Sequence, residues 1–234
     1  MTQRFWIDAT GPDLAAMRLA FAWLDESTET GSDAFLALPT KGNLDGIVSE
    51  AIGERAAKAL RQGRTVSLPG GGQLSLVTER KQPPLYTNGP ILAAYPTKKL
   101  LNDMDERRPP AMLVLPWLPK DVAAWRSAWN PVQLSVGGAS APQSAASTTS
   151  PSAAVMDALE RLTGTVNLST GIAHPSDRRA AIETFRNLHV EGERFDPAEV
   201  RAWLVGHGGW APRHADAVEE IAARVLEGRR FRGD

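Results

Sequence analysis

Along the first 136 residues the apolar positions switch repeatedly between two spacings. Short runs of strand length appear at RFWIDA (4–9), DAFLALP (33–39), PILAAYP (90–96), AMLVLP (111–116) and VQLSV (132–136). Between them the period lengthens to that of a helix. Leu14, Met17, Phe21 and Leu24 form one stripe, and Ile47, Val48, Ala51, Ile52, Ala59 and Leu60 a second. Leu100, Leu101 and Met104 form a third, Val122 and Trp125 a fourth, and Gly63 is placed to close the second. The run AMLVLP is apolar without alternation, as in a strand covered on both faces. Within TVSLPGGGQLSLVTE (65–79), two alternating runs flank three glycines, which predicts a β-hairpin.

From residue 155 onward only the helical period remains. Val155, Leu159 and Leu162 share a face, and Ile182, Phe185 and Leu188 follow a start at Ser176. Asp196-Pro197-Ala198-Glu199 combines a capping acid, a first-turn proline and a first-turn glutamate ahead of Val200, Trp203 and Leu204. Val218, Ile221, Ala222 and Val225 mark the last helix, which starts near Pro212 and ends at Gly228. Residues 137–154, GGASAPQSAASTTSPSAA, carry no charge, no aromatic ring and no aliphatic side chain larger than alanine. Such a stretch buries too little to offset its ordering entropy and reads as a flexible linker. The expected organisation is an α/β domain (1–136), the linker, and a small all-α domain (155–234). Strands alternating with helices imply a mixed, mainly parallel sheet with flanking helices, a Rossmann-like layering.

Composition narrows the function classes. With a net charge of −1, no global field draws the chain to nucleic acid or to an anionic membrane. The absence of cysteine removes disulfides, thiolate catalysis and Cys-ligated zinc. No basic-then-apolar leader opens the chain and no apolar run has membrane-spanning length, so a cytoplasmic location is expected.

The candidate chemistry lies in a repeated tripeptide. Pro39-Thr40-Lys41 and Pro96-Thr97-Lys98 each follow an apolar run and precede a helical segment. Proline ends a strand because it cannot donate to the ladder. The threonines and lysines then fall in loops at the carboxyl edge of a parallel sheet, where open α/β folds bind ligands. Lys120 belongs to a third such loop, and Asp8 leaves the first strand at the same edge. Lysine at a helix start opposes the positive end of the helix dipole, and a bound anion removes that conflict. Asp8, Thr40, Lys41, Thr97, Lys98 and Lys120 are therefore the expected rim of a site for a phosphate-bearing small ligand. Ordinary strand exits and turn chemistry explain the same residues without a ligand.

Other motifs exclude more than they propose. LPGGGQL lacks the Gly-Lys-Ser/Thr of a phosphate loop, and no GxGxxG is present. His174, His189, His207 and His214 all fall in the helical half without metal-ligand spacing, so no metal or other cofactor is expected. The two last helices can be read as helix-turn-helix. The second would present Arg213, Asp216 and Glu220, and the helical half holds 11 Arg against 13 Asp plus Glu. That balance repels phosphate and makes nucleic acid an unfavourable partner, despite Arg229, Arg230 and Arg232. Of the seven tryptophans, Trp125, Trp129 and Trp210 are the candidates for a surface that meets a protein partner, with core packing as the ordinary alternative. No G-x-S-x-G elbow is present, and Asp8-Ala9-Thr10-Gly11-Pro12 does not reproduce an aspartyl phosphoryl-transfer motif. The expectation is a cytosolic, non-catalytic binding or adaptor protein. Its α/β domain takes a partner or an anionic ligand, and its helical domain makes protein contacts. The rival is an enzyme on a nucleotide or phosphorylated metabolite, using Asp8 with Lys41 and Lys98.

Overall fold

The computed structural model describes residues 2–81, 88–135, 151–229 and 231. The chain divides into two compact units, Met1–Ala123 with Asn130–Ser144, and Ala124–Trp129 with Ala145–Asp234. Residues 137–150 of the expected linker lie outside the described residues, as do Arg230 and Arg232.

The first unit is a layered α/β structure, as its alternating periods imply. Its elements are β1 (Gln3–Ile7), α1 (Leu14–Glu26), β2 (Asp33–Leu38), α2 (Ile47–Ile52), α3 (Glu54–Arg61), β3 (Val66–Ser67) and β4 (Gln73–Thr78). There follow β5 (Ile91–Ala94), α4 (Lys98–Glu106), β6 (Ala111–Leu115) and β7 (Val132–Leu134), while α5 (Ala123–Trp129), between β6 and β7 in the sequence, belongs from Ala124 onward to the second unit. Among the described residues the seven strands form one sheet in the order β3-β4-β2-β5-β6-β1-β7. Only the β3–β4 pair is antiparallel, which is the expected hairpin. The sheet is thus mixed and mostly parallel.

Register assigns the faces. Leu36 pairs with Leu76 and Leu92, and Leu92 with Leu113, so these side chains line one face. They form one core with Ala16, Met17, Ala20 and Leu24 of α1, Val48 of α2 and Leu60 of α3. A fully buried leucine contributes roughly 1.5–3 kcal/mol, so this row of side chains holds the layer together. The opposite face carries Arg4, whose Nε donates to Asp105 Oδ1 of α4 at 2.9 Å. Both side chains of that pair are buried. Helices therefore cover both faces: α1, α2 and α3 on one, α4 on the other.

One expected helix is two. The stripe from Ile47 to Leu60 breaks at Gly53, whose φ of 88° is left-handed and incompatible with a continuous helix. The apolar spacing survives the break because both short helices pack on the same core.

The helical unit comprises α6 (Ala153–Thr165), α7 (Pro175–Val190), α8 (Pro197–Gly206) and α9 (Pro212–Leu226). Ser152 caps α6, so the helix begins inside the stretch expected to be linker. His174, not Ser176, caps α7. Asp196 caps α8 through the amides of Ala198 and Glu199, as the sequence implies. Val155, Leu159, Phe185, Leu204, Val218 and Ile221 are among its core. Ala128 and Trp129 of α5 pack against that core too. Arg201 is buried at 3% exposure and donates to Asp216 at 2.6 Å, with Glu219 at 3.6 Å. Asp216, itself partly exposed, is thereby engaged by Arg201 rather than presented freely outward as the helix-turn-helix reading required. None of the described helices is long and apolar enough to cross a membrane.

Three substitutions test this packing. Asp105→Asn strips Arg4 of a buried counter-charge and should lower stability by about 3 kcal/mol in urea unfolding. Gly171 has φ 58°, and a Cβ there would lie 2.6 Å from His214 Cγ. Gly171→Ala should therefore destabilise by about 2 kcal/mol or more. Gly164→Ala, in the exposed last turn of α6 with nothing within 4 Å, should instead be neutral or stabilising by about 0.5 kcal/mol.

Candidate functional site

Parallel pairing sends the ends of β4, β2, β5, β6 and β1 to one edge of the sheet. Both Pro-Thr-Lys loops emerge there on neighbouring strands, β2 and β5. After β2 the chain turns to α2 and α3 on one face. After β5 it turns to α4 on the other. Adjacent strands whose exits diverge in this way leave a crevice between them, the usual ligand position in open α/β sheets.

A cleft of about 590 Å³ opens at this edge beside β2, lined by Pro39, Thr40, Lys41, Gly42, Thr78, Glu79, Arg80 and Lys81. Local bonding shapes both walls. The Thr40 amide and hydroxyl both donate to Asn43 Oδ1, at 3.0 and 2.8 Å, which fixes the 3-10 turn Lys41–Leu44. On the other wall Thr78 and Lys81 exchange backbone hydrogen bonds at 2.9 and 3.1 Å, closing a tight turn after β4. Three cationic side chains stand against one acid. Arg80 and Lys81 have no ion-pair partner among the described residues, whereas Glu79 accepts from the Thr97 hydroxyl.

Two of these cations also serve the fold. Lys41 Nζ donates to the Arg61 carbonyl at 3.1 Å. Lys81 Nζ lies against Gly63, 3.6 Å from where a Cβ would sit. Both ammonium groups thus gather at the end of α3, where unpaired carbonyls leave partial negative charge. An ammonium has three donors, so this contact does not exhaust either lysine.

The expected rim residues separate into groups. Thr40 and Lys41 line the cleft. Thr97 borders it through Glu79 and caps α4 by accepting from the Leu100 amide at 3.1 Å. Lys98 and Lys120 are exposed at the same edge but do not line the cleft, and Asp8 lies exposed three strands from β2. This cleft therefore does not bring Asp8 or Lys98 to Lys41. Reading the sequence alone misses Arg80 and Lys81. Local pattern leaves the direction of β4 open, so its exit cannot be assigned to this edge. A second hollow of about 540 Å³, lined by Asp45, Glu54, Arg55, Lys58 and Arg61 among others, has mixed charge, with Arg61 paired to Asp45.

Of the tryptophans expected on a partner surface, Trp125 and Trp210 are corrected by burial. Trp210 is 2% exposed in the helical core, and its Nε1 donates to Thr163 Oγ1 at 2.9 Å. Trp125 is 4% exposed, and Trp129 is half-buried against the same core. The exposed one is Trp117, at 49%, in the loop after β6. Its ring meets Tyr95 edge to face, with centroids 5.3 Å apart. Its carbonyl accepts from the Gly11 amide at 2.7 Å, tying the exits of β6 and β1. Tyr95 has φ 50°, a left-handed conformation unusual for an aromatic residue, at the end of β5. Its hydroxyl oxygen is buried without a hydrogen-bond partner among the described residues.

Burial pushes the Tyr95 hydroxyl above its ordinary range; the nearby Asp13 main chain opposes this and the Asp13 charge adds to it. The folded state therefore holds this proton more tightly than the unfolded chain. The associated stability is intact below about pH 10 and is lost as pH rises further. Tyr95→Phe should leave stability near neutral pH almost unchanged, because no hydrogen bond is lost. As pH rises above about 10 it should lose less stability than the parent chain in parallel urea titrations.

Comparison with known proteins bears on the helical unit alone. Residues 151–234 match a family model described as a domain of unknown function, DUF1889. The match starts just before the Ser152 cap of α6 and runs to the end of the sequence. No curated protein and no solved structure matches the chain.

Proposed function

We propose that this chain is a binding protein whose α/β unit takes a phosphate-bearing small ligand in the cleft between the loops after β2 and β4. The observation that carries this is the charge of the cleft: Lys41, Arg80 and Lys81 against Glu79 alone, with Glu79 already engaged by Thr97. A ligand with negative charge would meet donors on both walls, at the carboxyl edge of the sheet and one strand from the point where the exits of β2 and β5 diverge. Binding is preferred over catalysis because residues 1–136 contain no histidine and Asp8 stands away from the cleft. Among the described lining residues, the acid–base groups are then Glu79, engaged by Thr97, and two lysines that also hold the end of α3. The helical unit is proposed to contact another protein. With Trp125 and Trp210 interior, Val190 and Leu226 are its exposed large apolar residues among those described.

The test is thermal unfolding of the full chain with pyrophosphate at constant ionic strength. A ligand at about 100 times its Kd should add about 2.7 kcal/mol of stability. Arg80→Ala/Lys81→Ala should abolish the shift, and Lys41→Ala should reduce it. An equal shift in the parent chain and the double variant, or none in either, overturns the proposal.

A further inference from the structure

We infer that the ligand of this cleft is a nucleotide, with its base against the exposed indole of Trp117 and its phosphates over Arg80, Lys81 and Lys41. The inference rests on the cleft being an anion site and adds the other half of the ligand. Trp117 is the exposed large aromatic side chain among the described residues, and it sits on the same edge of the sheet as the cations. Tyr95 meets its ring edge to face, and the Gly11 amide anchors its main-chain carbonyl. An indole fixed on one side and open on the other is a stacking platform for a flat ring.

The spacing suits one molecule bridging both features. Trp117 follows β6, which is two strands from β2 and three from β4. At about 4.8 Å per strand its exit is about 10 Å from that of Lys41 and about 14 Å from that of Arg80 and Lys81. A nucleoside diphosphate with its base on Trp117 reaches the Lys41 exit with its terminal phosphate, and Arg80 and Lys81 line the same cleft from the next strand. The path between crosses the start of α4, where Thr97 is the cap and the helix dipole is positive. A protein partner suits this edge less well. Among the described residues its exposed apolar surface is a single indole amid lysines, and broad apolar cores carry protein interfaces.

Calorimetric titration of the full chain with pyrophosphate and with adenosine 5′-diphosphate, at the same ionic strength, separates the two levels. The nucleoside diphosphate should bind roughly tenfold more tightly than pyrophosphate, or better, as one stacked base implies. Trp117→Ala should remove that advantage while leaving pyrophosphate binding intact. Equal affinity for the two probes, or an advantage that survives Trp117→Ala, overturns the nucleotide inference and leaves the anion site standing. If neither probe binds, the cleft is not an anion site and both fall. Tryptophan fluorescence gives an independent readout. Adenosine 5′-diphosphate should quench the parent chain but not Trp117→Ala, and pyrophosphate should quench neither.

Discussion

The α/β unit depends on the parallel pairing of β4 with β2. Once Leu74, Leu76 and Thr78 align with Ala34, Leu36 and Leu38, the second strand of the hairpin runs with the sheet rather than against it. Its exit, Glu79-Arg80-Lys81, is delivered to the same edge as the two Pro-Thr-Lys loops. Were β4 reversed, those residues would leave at the opposite edge and the cleft would have one wall. On its other side β2 pairs with β5, and the chain diverges to opposite faces at their shared end. The cleft follows from strand direction first and side-chain chemistry second.

The doubled Pro-Thr-Lys has a structural answer that does not remove the functional one. Each proline follows its strand, each threonine bonds the turn that comes next, and each lysine opens a helical segment. Thr97 does so as a helix cap and Thr40 through Asn43. Lys41 reaches away from its own turn to the carbonyl end of α3, where a cation is favourable. Arg80 has no comparable partner among the described residues, so the charge of the cleft is more than a by-product of capping.

In the helical unit, tryptophan serves packing. Trp210 fills the turn between α8 and α9 and fastens it to α6 through Thr163. Arg201 is held by acids of α9, a buried ionic link that specifies how α8 and α9 meet. Gly171 admits His214 at a point where any side chain would collide, which places Gly171–Ala173 close against α9. These are the marks of a bundle whose small size demands close packing.

What the sequence determined by itself was local. Apolar period and end signals located the strands, the helices, the hairpin, and the Asp196 and Pro197 start, because these depend on neighbouring residues alone. The alternation of strands and helices was enough to set the fold class. Strand order and direction were beyond it, since pairing between Gln73–Thr78 and Asp33–Leu38 joins distant parts of the chain and no local spacing encodes it. Thr40 and Lys41 were therefore legible as site residues, whereas Arg80, Lys81, Tyr95 and Trp117 were not. Gly53 hid within a continuous apolar stripe because both short helices share one core. The exposure of Trp117 and the burial of Trp125 and Trp210 were decided by the tertiary structure: an aromatic residue suits an interior and an open platform equally well, and only the surrounding elements determine which it receives.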